Sequence, residues 1–263
     1  MIPPIFNHTW PDDVKALYNH DMQEIWNPKI AQHMWNQYHN QLELYFSFAG
    51  KNQKLKILDI GCAQGTLALL LAEKGHCVFA VDIRQQFLDY AVSRYQKGDI
   101  QFFCGNVMEI DFLERFDLIF ANQIIEHLLQ PFDFTQRLSK WLKPDGCLLV
   151  TTPNGKYIGN SLPGFSDLGD TSQYRHFEFS ADGGGHFFAF YDEELVQVFE
   201  KVGLKQIMVR FFETPWISGH LKFRYLHSFI PYTVLKLFDR ILLRLPHVNQ
   251  ILAHQLLISG KRS

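Results

Sequence analysis

The feature that most limits what this chain can become is the stretch Ile57-Leu-Asp-Ile-Gly-Cys-Ala-Gln-Gly-Thr66. An apolar strand runs straight into a turn with two glycines, and a Leu-rich helix follows at once. Gly61 permits the tight turn, and Gly65 lets the helix come close to the sheet. A strand that feeds a helix in this way returns to a parallel neighbour, so one such unit implies several.

The remaining sequence supplies them. Strands are expected at Leu55–Ile60, Cys77–Val81, Ile100–Cys104, Phe116–Ala121 and Cys147–Thr152, then Leu204–Phe212 and Gln255–Gly260. Helices are expected at Gly65–Lys74, Gln85–Gln96, Phe132–Leu142 and Asp192–Val202. Gly75, Gly98 and Gly203 act as stop signals, and Lys143-Pro-Asp-Gly146 reads as a turn. The pattern predicts an α/β fold: a doubly wound, mostly parallel seven-stranded sheet of Rossmann-like type. Residues 1–50 form an N-terminal helical cap, with helical spacing at Met34, Tyr38, Leu42 and Tyr45. Residues 51–212 form the core, including an irregular loop at 153–190. Residues 213–252 are a helical insertion, and 253–263 carry the final strand.

Composition agrees with one large core. Of 263 residues, 47% are apolar and 20% are charged, which excludes a disordered chain. A formal net charge of −2 excludes a strongly basic nucleic-acid coat. Four cysteines without a CxxC pair read as buried thiols of a reducing compartment. The first residues show no basic-then-apolar leader, and no apolar run is long enough to span a bilayer. A cytoplasmic location is expected.

Charge is uneven along the chain. Residues 205–263 hold nine Lys/Arg against Glu213 and Asp239 alone, a local net of +7 that leaves −9 for the rest. After Pro231, Val234, Leu235, Phe238, Ile241, Leu242 and Leu245 share one helical face. Lys236, Asp239, Arg240 and Arg244 take the other. The segment 232–245 is therefore expected to be a basic amphipathic helix, one that packs on its own domain or lies on an anionic membrane.

Asp59 and Asp82 carry the chemistry of the turn. Asp59 accepts hydrogen bonds from a cationic amine or from turn amides. Asp82, 21 residues beyond Gly61 at the end of strand two, offers two oxygens to the hydroxyls of a ribose. A dinucleotide pattern G-x-G-x-x-G fits poorly, because Ala63 and Thr66 stand at its second and third glycines.

Four pieces in order resemble the class I S-adenosylmethionine-dependent methyltransferases. They are Ile57–Thr66, Val81-Asp-Ile83, Phe116-Asp-Leu-Ile-Phe-Ala-Asn-Gln-Ile-Ile-Glu-His127 and Leu142–Asn154. The resemblance spans about residues 55–210. It implies S-adenosyl-L-methionine as cofactor, with Asp59, Gly61 and Gly65 around the methionine moiety. Asp82 would bind the ribose, Ile83 would pack on the adenine, and Asn106 and Val107 would meet its edge. Asn122 and Gln123 would line the sulfonium end. The family usually has glycine where Ala63 stands and often aspartate where Asn106 stands.

Gln123-Ile-Ile-Glu-His127 is similar to a Glu-x-x-Glu-His motif of two O-methyltransferase groups: ubiquinone-biosynthesis enzymes and small-RNA 2′-hydroxyl enzymes. There the motif goes with a divalent metal. Here Gln123 removes a charged ligand, and no metal is expected. Glu126, His127 and His186 are the candidate catalytic residues, with His176 beside Arg175 a lesser one. Phe165, Tyr174, Phe177, Phe179, Trp216, Phe223 and Tyr225 are expected to wall an acceptor pocket, and Gly183–Gly185 to hinge a lid. The expected partner is a small-molecule hydroxyl acceptor, aromatic or lipid-like; a nucleic-acid partner is not expected. A sugar, a nucleoside, an RNA 2′-hydroxyl and a non-catalytic binding role stand as alternatives.

Overall fold

The computed structural model describes residues 1–50, 53–169 and 188–263. Helices α1 (Asp12–Asp21) and α2 (Gln32–Ala49) precede the sheet, joined through a π-helical turn at Met22–Trp26. The alternation then runs β1 (Lys56–Ile60), α3 (Thr66–Glu73), β2 (Cys77–Asp82), α4 (Gln85–Ser93), β3 (Asp99–Cys104) and β4 (Phe116–Asn122). After these come α5 (Pro131–Trp141), β5 (Leu142–Pro153), α6 (Asp192–Lys201) and β6 (Lys205–Phe212). An insertion with α7 (Pro215–Ser218), α8 (Tyr232–Leu243) and α9 (Val248–Leu252) leads into β7 (Gln255–Lys261).

The seven strands lie in the order β3-β2-β1-β4-β5-β7-β6. β7 is antiparallel to both β5 and β6, so the other six strands point the same way. All six carboxyl ends share one edge. The insertion between β6 and β7 leaves from that edge and returns to it, since Phe212 and Pro153 both pair with Gln255. The chain order reverses between β1 and β4, which opens a crevice on this edge.

Period-two alternation divides the core between the two faces. Ile57, Val78, Ala80, Leu118, Phe120 and Leu149 pack with Leu42 and Tyr45 of α2 and with Leu67, Leu71 and Leu88. Their neighbours Leu58, Phe79, Val81, Ile119 and Val150 pack with Phe134 and Leu138 of α5 and Leu195 and Phe199 of α6. Helix α2 therefore completes one layer of the core.

Two local expectations change. Lys143–Gly146 turns, but inside a strand: the register jumps from Phe116 opposite Leu142 to Leu118 opposite Cys147, and Asp145 takes φ of 61°. The four residues bulge out of β5, which begins earlier than expected. Helix α8 is also rolled relative to its sequence pattern. Leu235 and Asp239 are buried, whereas Val234, Phe238, Ile241 and Leu245 are exposed. The backbone N–H of Thr214 donates to Asp239 at 2.7 Å, and this bond holds the polar side chain inward.

Candidate active site

The glycine turn sits over the crevice. Gly61 has φ of 66°, and a Cβ there would lie 2.4 Å from Ile124 Cδ1. Both the backbone conformation and the space demand glycine. Gly65 has φ of 73°, and a Cβ there would meet Ala91 Cβ at 2.7 Å. The close approach it allows is to helix α4; Phe102 of the sheet lies farther, at 3.8 Å. Ala63 also takes positive φ, 46°, so the absent glycine leaves a strained residue in the turn.

Asp82 is locked to that turn. Its Oδ2 accepts from the Ala63 N–H at 2.9 Å and its Oδ1 from the Arg84 N–H at 3.0 Å, with Arg84 Nε at 3.6 Å. Asp59 lies between Ala80 and Phe120 in register and is equally buried. Burial pushes its carboxyl up to about 7, and the nearby charge of Asp82 adds to the shift.

The next residues follow around the edge. Ile83 leaves 40% of its surface exposed beside Asp82, an apolar platform open to solvent. Gly105 N–H donates to the Asp82 carbonyl at 3.0 Å and brings Asn106 and Val107 alongside. Asn106 is used locally: its Oδ1 accepts from Met108 N–H at 2.9 Å and its Nδ2 donates to Glu109 at 3.3 Å. Val107 is buried, and its carbonyl accepts from Arg137 Nε at 2.8 Å.

At the end of β4, Thr151 Oγ1 donates to Asn122 Oδ1 at 3.2 Å. Gln123 has φ of 53° and reaches sideways, donating to Gln255 Oε1 at 2.8 Å. Glu126 and His127 form a single 3-10 turn, Ile125–His127. His127 is half-buried, whereas Glu126 is fully buried and accepts from Thr152 Oγ1 at 3.1 Å. Burial pushes the Glu126 carboxyl up to about 8, so the group is mostly protonated at neutral pH. His176, His186, Tyr174, Phe177, Phe179 and Gly183–Gly185 lie outside the described residues.

Two contributors escaped the sequence reading. Gln255 extends the polar chain from β4 across β5 to β7; a lone amide opening an apolar strand was the available signal. The second is a buried ion pair, Arg94 with Asp21 at 2.8 Å. Arg94 also donates to the carbonyl of Gln64 at 2.5 Å and to Thr66 Oγ1 at 2.9 Å, while Tyr90 and Trp26 donate to Asp21. The pair ties α1 and the π-helical turn to the glycine turn. No sequence signal marks it, because its partners are far apart in the chain.

A family model described as a methyltransferase domain matches residues 18–209. The chain belongs to the class I S-adenosylmethionine-dependent methyltransferases. It is 37% identical over 110 residues to a ubiquinone biosynthesis O-methyltransferase of Bradyrhizobium diazoefficiens, covering 41% of this chain and 44% of the relative. The match to that relative thus spans less than half its length. A malonyl-[acyl-carrier protein] O-methyltransferase of Priestia megaterium is 31% identical over 194 residues, 71% of this chain and 66% of that one. The N-methyltransferase NodS of Bradyrhizobium japonicum, solved with S-adenosyl-L-homocysteine, superposes with a TM-score of 0.54 at 14% identity. That superposition covers 94% of this chain and 97% of NodS and shows a shared fold.

S-adenosylmethionine is the cofactor of this methyltransferase-family chain. The residues present fit it. A cationic ligand favours a buried carboxylate, and Asp59 is one, its pKa raised by burial so that a neighbouring cation would favour its ionised form. A ribose needs a fixed carboxylate at the end of β2, and Asp82 is fixed by two backbone donors. Among the described residues, no group of three His, Cys, Asp or Glu is placed to hold a metal ion.

Proposed function

We propose that the protein transfers the methyl group of S-adenosylmethionine to a hydroxyl of a small molecule, aromatic or lipid-like. The observation that supports this reading is that the buried carboxylate of Asp59 and the turn carrying His127, which follows β4, share one sheet edge. The two O-methyltransferase relatives support oxygen as the acceptor atom. Aromatic side chains of the insertion, Trp216 against Phe223 and Phe238, support an acceptor with a ring or chain.

The cofactor supplies a methyl group activated on a positively charged sulfur. In the proposed roles, Asp59, Gly61 and Gly65 receive the methionine part, Asp82 the ribose, and Ile83, Asn106 and Val107 the adenine. Asn122 and Gln123 border the sulfonium end. Held by these residues, the cofactor would give its methyl group to the acceptor oxygen and leave as S-adenosylhomocysteine. The hydroxyl proton passes to His127 or His186. Glu126, buried and neutral, acts as a positioning residue that holds the His127 turn against Thr152. Alignment of donor and acceptor alone supplies roughly 7–11 kcal/mol in well-oriented systems.

A screen with methyl-labelled cofactor against phenols, lipid extracts, sugars and RNA tests the reading. Label on a phenolic or lipid hydroxyl is the expected result. Label confined to nitrogen, to sugars or to RNA overturns the acceptor class. Absence of S-adenosylhomocysteine binding overturns the cofactor seat itself.

A further inference from the structure

Helix α8 presents its apolar residues outward. Leu237 is 56% exposed, Ile241 48% and Leu245 45%, and Val234 and Phe238 join them on the same surface. The preceding 3-10 turn, Phe223–Ser228, adds Tyr225, and the residue after it, Phe229, is 85% exposed. Phe238 also stacks on Trp216, and α8 meets the core through Leu235 and Asp239.

Basic side chains prevail on this surface, with Glu43 of α2 as an exposed acid beside Lys236. Lys222, Arg224, Arg240 and Arg244 are exposed among the apolar residues. Both acids of residues 205–263 are turned inward: Asp239 accepts from Thr214 N–H, and Glu213 accepts from Gln37 at 2.8 Å and Gln41 at 3.2 Å. Lys236 pairs with Glu43 of α2. Lys222, Arg224, Arg240 and Arg244 therefore carry the basic charge of the insertion, whereas Lys205, Lys261 and Arg262 lie at the opposite edge of the sheet.

We propose that the α8 face, with Tyr225 and Phe229 beside it, docks on an anionic lipid bilayer. Apolar side chains at i, i+3/i+4 spacing with arginines between them suit a helix lying in the interface plane, its apolar face in the acyl boundary. The arginines meet the lipid phosphates, and the four exposed cations of this face turn it toward a negative surface. A second copy of the chain is the poorer occupant. A two-fold contact centred on α8 brings Arg240 and Arg244 against their own images, and the neighbouring exposed acid, Glu43 of α2, is already engaged by Lys236. No helix among the described residues is long and apolar enough to cross a membrane, so the contact is peripheral. The proposal stands apart from the nature of the methyl acceptor.

Sedimentation of the full chain with vesicles tests it. Phosphatidylcholine vesicles carrying phosphatidylglycerol are expected to pull the protein down at low salt, and pure phosphatidylcholine vesicles much less. High salt is expected to weaken the capture. Leu237→Glu with Ile241→Glu, and separately Arg240→Glu with Arg244→Glu, should each lower capture by roughly tenfold or more. Both variants should bind S-adenosylhomocysteine like the wild type, which separates loss of docking from loss of fold. Failure to bind anionic vesicles overturns the proposal, as does capture indifferent to both variants. A stable dimer that the Leu237→Glu/Ile241→Glu variant dissociates assigns the face to a second copy and also overturns it.

Discussion

Two carboxylate sites share the carboxyl edge of the sheet, one strand apart, and they differ in what surrounds the acid. At β1 and β2, Asp59 and Asp82 lie beside a turn of positive-φ residues, from which the Ala63 N–H donates to Asp82. At β4, Glu126 is fully enclosed, with Thr152 as a hydrogen-bond donor. All three are buried, but the consequences diverge. Burial raises both carboxyls, to about 7 at Asp59 and about 8 at Glu126; the proposed roles differ, Asp59 facing the cofactor and Glu126 holding its turn. Burial alone does not make a carboxylate functional; the backbone around it matters as well.

The comparison breaks most severely at the turn. Gly61→Val should destabilise the fold by about 2–4 kcal/mol, combining the left-handed backbone with the collision at Ile124, and should abolish cofactor binding. Thermal melts and calorimetric titration check both.

Asp59→Asn should weaken S-adenosylmethionine binding by roughly ten- to a hundredfold, the worth of a charged hydrogen bond. The wild type should bind more tightly as pH rises to about 7 and then level off, because the bound cation favours the ionised acid. The variant should lack that dependence. A variant that keeps the same pH profile places the titrating group elsewhere.

Glu126→Gln sharpens the contrast. The folded chain holds the Glu126 proton up to about 8, while the unfolded chain releases it near the ordinary 4.5. The unfolded state therefore binds fewer protons, and stability falls as pH rises through that window. The variant should lose less stability between about pH 5 and about pH 9 than the wild type, by several degrees in Tm. Equal losses in the two proteins would mean that the acid is ionised in the fold.

The smallest effect is expected at Ala63→Gly. Relief of the left-handed conformation should outweigh the added freedom of the unfolded chain, with a net gain of about 0.5 kcal/mol. Denaturant midpoints resolve a change of that size.

Much of this architecture was readable because its signals are local. The glycine turn, the alternating strands β1 to β5 and the carboxylate closing β2 each depend on residues within a few positions of one another. The β7 strand was visible as an apolar run, but its antiparallel place between β5 and β6 was not, since pairing partners leave no mark inside a single strand. Asp239 shows the same limit in a helix. Its sequence neighbours placed it on the polar face, and a single bond from Thr214, 25 residues earlier, drew it inside.

By itself, the sequence determined the repeating strand–helix units and the chemistry offered at their ends, because periodicity and turn residues act over one or two turns of chain. Tertiary structure alone decided which side of α8 faces water, which amide meets Gln123, and that Arg94 reaches Asp21 beneath the cofactor turn. Those outcomes rest on contacts between distant segments, where burial and hydrogen-bond satisfaction are settled only once the chain has closed on itself.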